Sequence, residues 1–369
     1  GKTTLEDNDN NNQYTRAASY LRDWLKKGIL EEFKEDAFYI YEQEYTALGK
    51  IRNRIGFIGA VKLEEDDNEN IRAHENTFSH HEDDRLNLIT AAQANTSPVF
   101  SLIKDEDKVI RKAHQTVSAS GKPLYVVEID GVKHRLWALT DQELIKEITD
   151  SLRDKDAFIA DGHHRYSVSR RYRNALRDKG INAPEADYIM MFFTDIDDEN
   201  LVILPTHRLV SFKSIPEIKE FINTKFTPYF DISSFNNQDE LFKAMETVQE
   251  EEHVFGLYYG DKIYYLLRLK DSVKVEPGAI DVNILHNTVF KEIMGITDNF
   301  GNDGGIIYLK SAQESIAAVD NGEFDLAFFL NPTHIDEVVK AAKSGGRMPN
   351  KSTYFYPKLL SGLVMRKVN

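Results

Sequence analysis

Short apolar strands alternating with amphipathic helical stretches predict a mixed α/β protein of the α+β class, built as two closely packed domains. Three observations carry this. Segments such as 188–194 and 201–204 are short, apolar and rich in residues that favour strands, whereas 141–152 and 163–176 repeat apolar residues at helical spacing. A length of 369 residues exceeds what one hydrophobic core usually absorbs. Beyond Ser211 the texture changes, which divides the chain into a mixed sheet domain over 1–210 and a smaller α/β domain over 211–369. The C-terminal segment of the second is expected to pack back on the first.

The elements follow in order. Residues 6–13 are polar and solvent-facing, and 14–25 then place Ala17, Leu21, Trp24 and Leu25 on one helical side, with Gly28 as a stop. Strands over 38–44 and 54–61 flank the turn Ala47-Leu48-Gly49-Lys50 as a half-buried antiparallel pair. The acidic run 64–70 is a solvated bend, and 85–94 is amphipathic. Strands at 98–103 and 124–129 flank a helix over 107–118; Gly131 then turns the chain into 134–139, whose Trp137 belongs in the core. A helix over 141–152 delivers the chain to the strand end 157–160. In the second half, helices are predicted at 215–224, 238–252, 281–294 (carrying His286) and 311–321. A hairpin joins 254–259 to 262–269 across Gly260-Asp261, and 324–330 is a buried strand.

Composition narrows the function classes. Sixty Asp and Glu against 46 Lys and Arg leave a formal charge of −14, which argues against a broad nucleic-acid-binding surface while allowing a local anion pocket. With no cysteine there is no disulfide, thiol nucleophile or thiolate metal site, in keeping with a reducing, cytoplasmic compartment. No apolar run is long enough to span a bilayer, so no membrane partner is expected. The chain has no internal repeat, Walker lysine loop, dinucleotide fingerprint or Gly-x-Ser-x-Gly elbow.

The strongest chemical signal is Ile159-Ala160-Asp161-Gly162-His163-His164-Arg165-Tyr166. An apolar strand end empties into a turn dense with charge and imidazole, and a helix starts at once, with Val168, Tyr172 and Leu176 as its apolar stripe. The first-turn N–H groups of such a helix favour an anion. Asp161 is placed as N-cap or as a metal-facing carboxylate, Gly162 permits close approach, and Arg165 offers a donor fork for phosphate or carboxylate. The alternative is an ordinary cap, a surface salt bridge and two structural histidines.

Three further stretches carry candidates. In Ile71-Arg72-Ala73-His74-Glu75-Asn76-Thr77, followed by His80, His81, Glu82, Asp83, Asp84 and Arg85, the spacing matches no zinc signature. The stretch is either an acidic, solvent-exposed helix start or the source of a general base, Glu75. Leu204-Pro205-Thr206-His207-Arg208 is a second strand end with His and Arg that could converge on the first. The tail 348–358, with Lys351 and Lys358 among hydroxyls and aromatics, suits anion contacts or an extended chain covering a core.

These motifs, Arg72–Thr77 with Asp84-Arg85, Asp161–Tyr166, Leu204–Arg208, Leu330–Thr333 and Met348–Leu359, occur in an order that resembles the bacterial and archaeal domain-of-unknown-function family 1015 over nearly the whole chain. Family members carry an upstream Pro-Pro-Tyr-Asp-Val type motif that is absent here. The family implies no reaction. More locally, Asp161-Gly162-His163-His164-Arg165 is similar to the phosphate-binding motif of the ParB and sulfiredoxin superfamily, whose members include free-serine kinases. That resemblance implies a ParB/sulfiredoxin-like core in the first domain.

It also implies phosphoryl transfer or nucleotide hydrolysis. Catalytic roles would fall to Glu75, Asp161 and His164; Gly162, His163, Arg165, His207, Arg208 and Lys351 would bind a nucleotide, and Asp161 would orient Mg2+. The partner would be a nucleotide or small phosphorylated molecule. A non-catalytic module sensing a nucleotide or phosphometabolite would use the same pocket.

Overall fold

Residue patterning over Phe38–Lys62 builds the centre of the first sheet. Leu48 and Gly49 both adopt positive φ, the geometry of a tight hairpin whose twist matches its strands. They join β1 (Phe38–Ala47) to β2 (Lys50–Lys62), paired antiparallel from Tyr39 opposite Ile58 to Ala47 opposite Lys50. Before them lies α1 (Gln13–Lys26), where the Asn12 side chain accepts from the N–H groups of Tyr14 and Thr15 and the Thr15 side chain caps Asn12 in return. The computed structural model describes residues 7–8, 10–65, 70–73, 79–211, 217–248, 252–276, 279–296, 305–343, 348 and 352–368, with 79–81 described by backbone only.

The chain divides into two compact units, residues 1–202 with 355–369, and residues 203–354. In the first unit, β3 (Ile71–Arg72), α2 (Ser79–Ala92), β4 (Ala94–Asn95), β5 (Val99–Ile103), α3 (Val109–Ser120), β6 (Tyr125–Ile129) and β7 (Val132–Leu139) follow β2. Next come α4 (Gln142–Leu152), β8 (Ala157–Asp161), α5 (His163–Asp178) and β9 (Tyr188–Asp195). Eight strands form one mixed sheet in the order β3-β8-β5-β9-β2-β1-β7-β6. One face carries Ile40, Phe57, Val99, Trp137 and Ile159 and is covered by α3 and α4 through Ile110, Ala113 and Ile148. The other carries Tyr41, Arg54, Phe100 and Phe192, and Phe355 of the C-terminal segment packs against Phe100.

In the second unit β10 (Val202–Leu204), whose first residue still belongs to the first, leads into β11 (His207–Val210), α6 (Ile218–Lys225), β12 (Phe230–Phe235) and α7 (Gln238–Glu246). β13 (Val254–Tyr258) and β14 (Tyr264–Leu269) form the expected antiparallel hairpin. α8 (Asp281–Ile284) continues as a π-helix over Leu285–Ile293, and β15 (Ile306–Leu309), α9 (Ala312–Asp320), β16 (Leu326–Phe329) and α10 (Ile335–Lys343) follow. The last strands are β17 (Tyr354–Tyr356) and, back in the first unit, β18 (Arg366–Lys367), which pairs with β4. Six strands make an antiparallel sheet in the order β12-β14-β13-β16-β11-β15. Its faces bury Phe255, Leu257 and Phe328 on one side and Leu209, Tyr258 and Phe329 on the other.

The fold is α+β, as the patterning predicts. Three local expectations are corrected. Residues 207 and 208 do not close the strand over 202–204 but open a further strand, β11, that is buried on both faces. The helix predicted over 238–252 is described as helical only to Glu246. The amphipathic stretch 281–294 widens to π geometry after Ile284, with Leu285, Thr288, Val289 and Phe290 buried.

Candidate functional site

Ala157 to Ala160 are buried apolar residues, held between β3 on one side and β5 on the other. A register shift between Phe100 and Ser101 lets the antiparallel β5–β8 pair end with Asp161 opposite Phe100. Asp161 is therefore the last strand residue, and its side chain stays about a third exposed. Gly162 occupies the N-cap of α5 with φ +101, and no side chain caps that helix end. The expectation of Asp161 as N-cap is thus corrected. Glycine is favoured because a backbone at φ +101 strains any side chain, and a Cβ at 162 would also lie 2.8 Å from Nε and Nη2 of Arg165, displacing its guanidinium.

Arg165 folds back beneath that glycine. Its Nη2 donates to Oδ2 of Asp161, and its Nη1 donates to the Pro98 carbonyl and, at 3.1 Å, to Oγ of Ser97. From the C-terminal segment, Nζ of Lys358 donates to the other Asp161 oxygen, Oδ1, at 2.5 Å. Burial alone would raise the Asp161 pKa, but Lys358, Arg165 and His163 together outweigh it and hold the carboxyl below its usual range. Burial likewise pulls Arg165 down, opposed by Asp161 and reinforced by Arg85. His163 is buried and His164 half-buried in the first turn of the same helix. The turn therefore gathers Asp161, Gly162, His163, His164 and Arg165, together with Lys358.

Beside Arg165 lies a small, half-open cleft. Arg85 of α2, Thr96 and Ser97 of the following loop, and Arg165 and Ser169 of α5 line it. Leu88, Ile89, Val168 and Ile189 complete the wall, so the cleft is partly apolar. Both terminal nitrogens of Arg165 already donate to Asp161, Pro98 and Ser97, and a phosphate or carboxylate drawn to the two arginines would exchange with those partners. The sequence shows Arg85 only as a residue on an amphipathic helix; its approach to Arg165 depends on the packing of α2 against α5, two elements far apart in the chain.

Asp161 supplies the turn's carboxylate, and both of its oxygens already face cations. Among the described residues no three His, Asp or Glu side chains converge as a metal cage. A Mg2+ at Asp161 would complete its ligands with water and phosphate oxygens.

Glu75 and Lys351 lie outside the described residues, as does His74. His207 and Arg208 belong to the second unit and are buried in its sheet. The Leu330 N–H donates to Nδ1 of His207 at 3.4 Å, and the ring meets Phe329 edge-on. Burial first, then Arg208, holds His207 at about 4. Arg208 donates to the Thr206 carbonyl and stacks over Tyr308, with its centre 5.1 Å from the ring. Such partners make both residues part of a packed core.

Among the described residues, no helix is long and apolar enough to cross a membrane. The family model described as "Protein of unknown function (DUF1015)" matches residues 1–291. No curated protein matches the chain. Solved structures of similar fold include a conserved hypothetical protein from Pyrococcus furiosus, with TM-score 0.43 and 14% identity, covering 84% of this chain and 95% of that one. A free serine kinase in complex with AMP has TM-score 0.43 and 13% identity, covering 84% and 91%. SbnI with a C-terminal truncation, from Staphylococcus aureus, has TM-score 0.40 and 12% identity, covering 82% and 85%.

Proposed function

The chain belongs to the DUF1015 family; since that family brings no reaction with it, we propose from the site itself a nucleotide-dependent small-molecule phosphotransferase or nucleotide hydrolase. The observation that carries this reading is the convergence of Arg165 and Arg85 on one open cleft at the start of a 16-residue helix. Guanidinium forks and a helix N-terminus stabilise negative charge that develops on a transferring phosphoryl group, and this is most of what such catalysis requires.

In this reading Arg165 and Arg85 bind phosphate oxygens, Thr96, Ser97 and Ser169 complete the hydrogen-bonding wall, and His163 and His164 add donors from the first turn. Asp161 fixes the direction of Arg165 and of Lys358. Glu75 is proposed as the base that takes the acceptor proton. Mg2+, if carried in with the nucleotide, would supply further charge neutralisation beside Asp161.

One observation favours a second reading, a non-catalytic module that senses a nucleotide or phosphometabolite. Both Asp161 oxygens and both terminal nitrogens of Arg165 already have protein partners, an arrangement that suits a fixed charge network better than a working acid or base.

The test is calorimetric titration with ATP, ADP and AMP, with and without Mg2+, alongside 31P NMR for transfer or hydrolysis, on the parent protein and on Asp161→Ala and His164→Ala. Binding with turnover that both variants lose supports the enzyme. Binding without turnover supports the sensor. Binding and turnover unchanged in both variants would sink the site assignment.

A further inference from the structure

Arg54 is fully buried on β2, yet its hydrogen-bond partners are neutral. Its guanidinium lies over the Phe100 ring, 4.6 Å from the centroid. Nη2 donates to Oε1 of Gln43 and, at 2.5 Å, to the Pro357 carbonyl, while Nη1 donates to the Tyr356 carbonyl at 3.3 Å. Gln43, opposite Arg54 on β1, in turn donates from Nε2 to the carbonyl of Lys358 at 3.0 Å. Three consecutive carbonyls of the C-terminal segment thus end on these two side chains.

Burying a guanidinium with no carboxylate in hydrogen-bond contact among the described residues, and only that of Asp198 acting on it through space, is an expensive way to fill a core, since apolar side chains of similar volume usually serve stability as well or better. What an apolar residue cannot do is fix the direction of a passing backbone. Around the same segment the contacts are softer. Tyr45 meets the Tyr356 ring edge-on at 5.5 Å, Phe100 meets Phe355 at 5.6 Å, and the Leu360 N–H reaches the Tyr41 hydroxyl at 3.5 Å. Aromatic contacts of this kind tolerate sliding along the chain; a fork on two successive carbonyls does not.

We infer that Arg54 and Gln43 are a positioning pair that sets residues 356–358 in register, so that the Lys358 ammonium meets Asp161 at the start of α5. They touch no ligand and act through Lys358. This extends the phosphate-site reading of the turn, but its test needs no ligand, so failure of nucleotide binding and failure of the inference are separable.

The experiment is a 13C NMR titration of the Asp161 carboxyl in the parent protein, Lys358→Met, Arg54→Lys, Gln43→Met and the two double variants containing Lys358→Met. Lys358→Met is expected to raise the Asp161 midpoint, because an adjacent opposite charge is lost. Arg54→Lys keeps the buried charge but loses the fork, and Gln43→Met removes the contact with the Lys358 carbonyl. Each is expected to raise the midpoint alone and to add nothing in the Lys358→Met background, a non-additivity that simple loosening of the core would not produce. If Arg54→Lys fails to fold, Gln43→Met decides. An unmoved midpoint in the position 54 and 43 variants, additive shifts in the doubles, or no response to Lys358→Met would each overturn the inference.

Discussion

Nζ of Lys358 lies 2.5 Å from Oδ1 of Asp161, although 197 positions separate the two in sequence. Arg165, four residues from Asp161, holds the other oxygen. The carboxylate thereby orders two cations at one helix start, and its depressed pKa works in a definite direction. The pairing is complete above its ordinary value of 3.8 and is lost as pH falls through the lower folded value.

Arg165→Ala is expected to weaken nucleotide binding by about tenfold or more, the scale of one lost charge-assisted hydrogen bond. Lys358→Met acts in the same direction. Calorimetric titration in low and high salt checks this, with the loss largest in low salt because screening already weakens exposed charges in high salt. Equal affinities for parent and Arg165→Ala would contradict the placement of phosphate in the cleft.

Gly162→Ala strains a backbone at φ +101 and drives a methyl into the Arg165 guanidinium. A cost of about 1–3 kcal/mol is expected, together with a loss of ligand affinity like that of Arg165→Ala. Urea unfolding and titration of the same sample read both effects. Loss of stability with unaltered affinity would show that Arg165 does not bind the ligand.

His134 and His207 are both buried and both lowered from 6.5 to about 4. Burial is the main cause in each, aided by Arg54 for the first and Arg208 for the second. The unfolded chain takes up these protons at higher pH than the folded one, so stability is full above 6.5 and falls as pH drops toward 4. Each histidine contributes about 2 kcal/mol of that fall by pH 5. Urea unfolding at pH 7 and pH 5 measures it, and His207→Gln, which keeps an acceptor for the Leu330 N–H, is expected to flatten the slope.

Gly56→Ala tests the sheet itself. A Cβ there would lie 2.3 Å from both the Phe192 ring and the Phe193 carbonyl, and about 3 kcal/mol of destabilisation is expected. Gly121→Ala is the control: its surroundings are open and its backbone extended, so a change within about 0.5 kcal/mol is expected. Similar unfolding midpoints for the two variants would refute the packing described at Gly56.

The turn at 161–165 is legible in sequence because everything that announces it is local: a short apolar strand, a glycine, and a helical period that begins at once. Asp161 nonetheless reads in sequence as either a cap or a metal-facing carboxylate, since a carboxylate before a helix looks the same whether it accepts backbone N–H groups or side-chain cations. What separates the two is Gly162, whose left-handed backbone moves the cap one residue on. Arg54 carries no signal, because strand periodicity identifies which face a residue occupies and not what lies on that face. Lys358 is visible as a lysine in an aromatic tail, but its partner is not.

The chain enters the first unit, leaves it at Val202 and returns at Phe355. During synthesis at ~5–20 residues per second, the large sheet therefore waits roughly 8–30 s for the segment that brings Phe355 and Lys358. Through that interval the Arg54 guanidinium lacks two of its carbonyl acceptors and the Asp161 carboxylate lacks one of its two cations. The charge pattern of the candidate site is thus among the last features of the first unit to be completed.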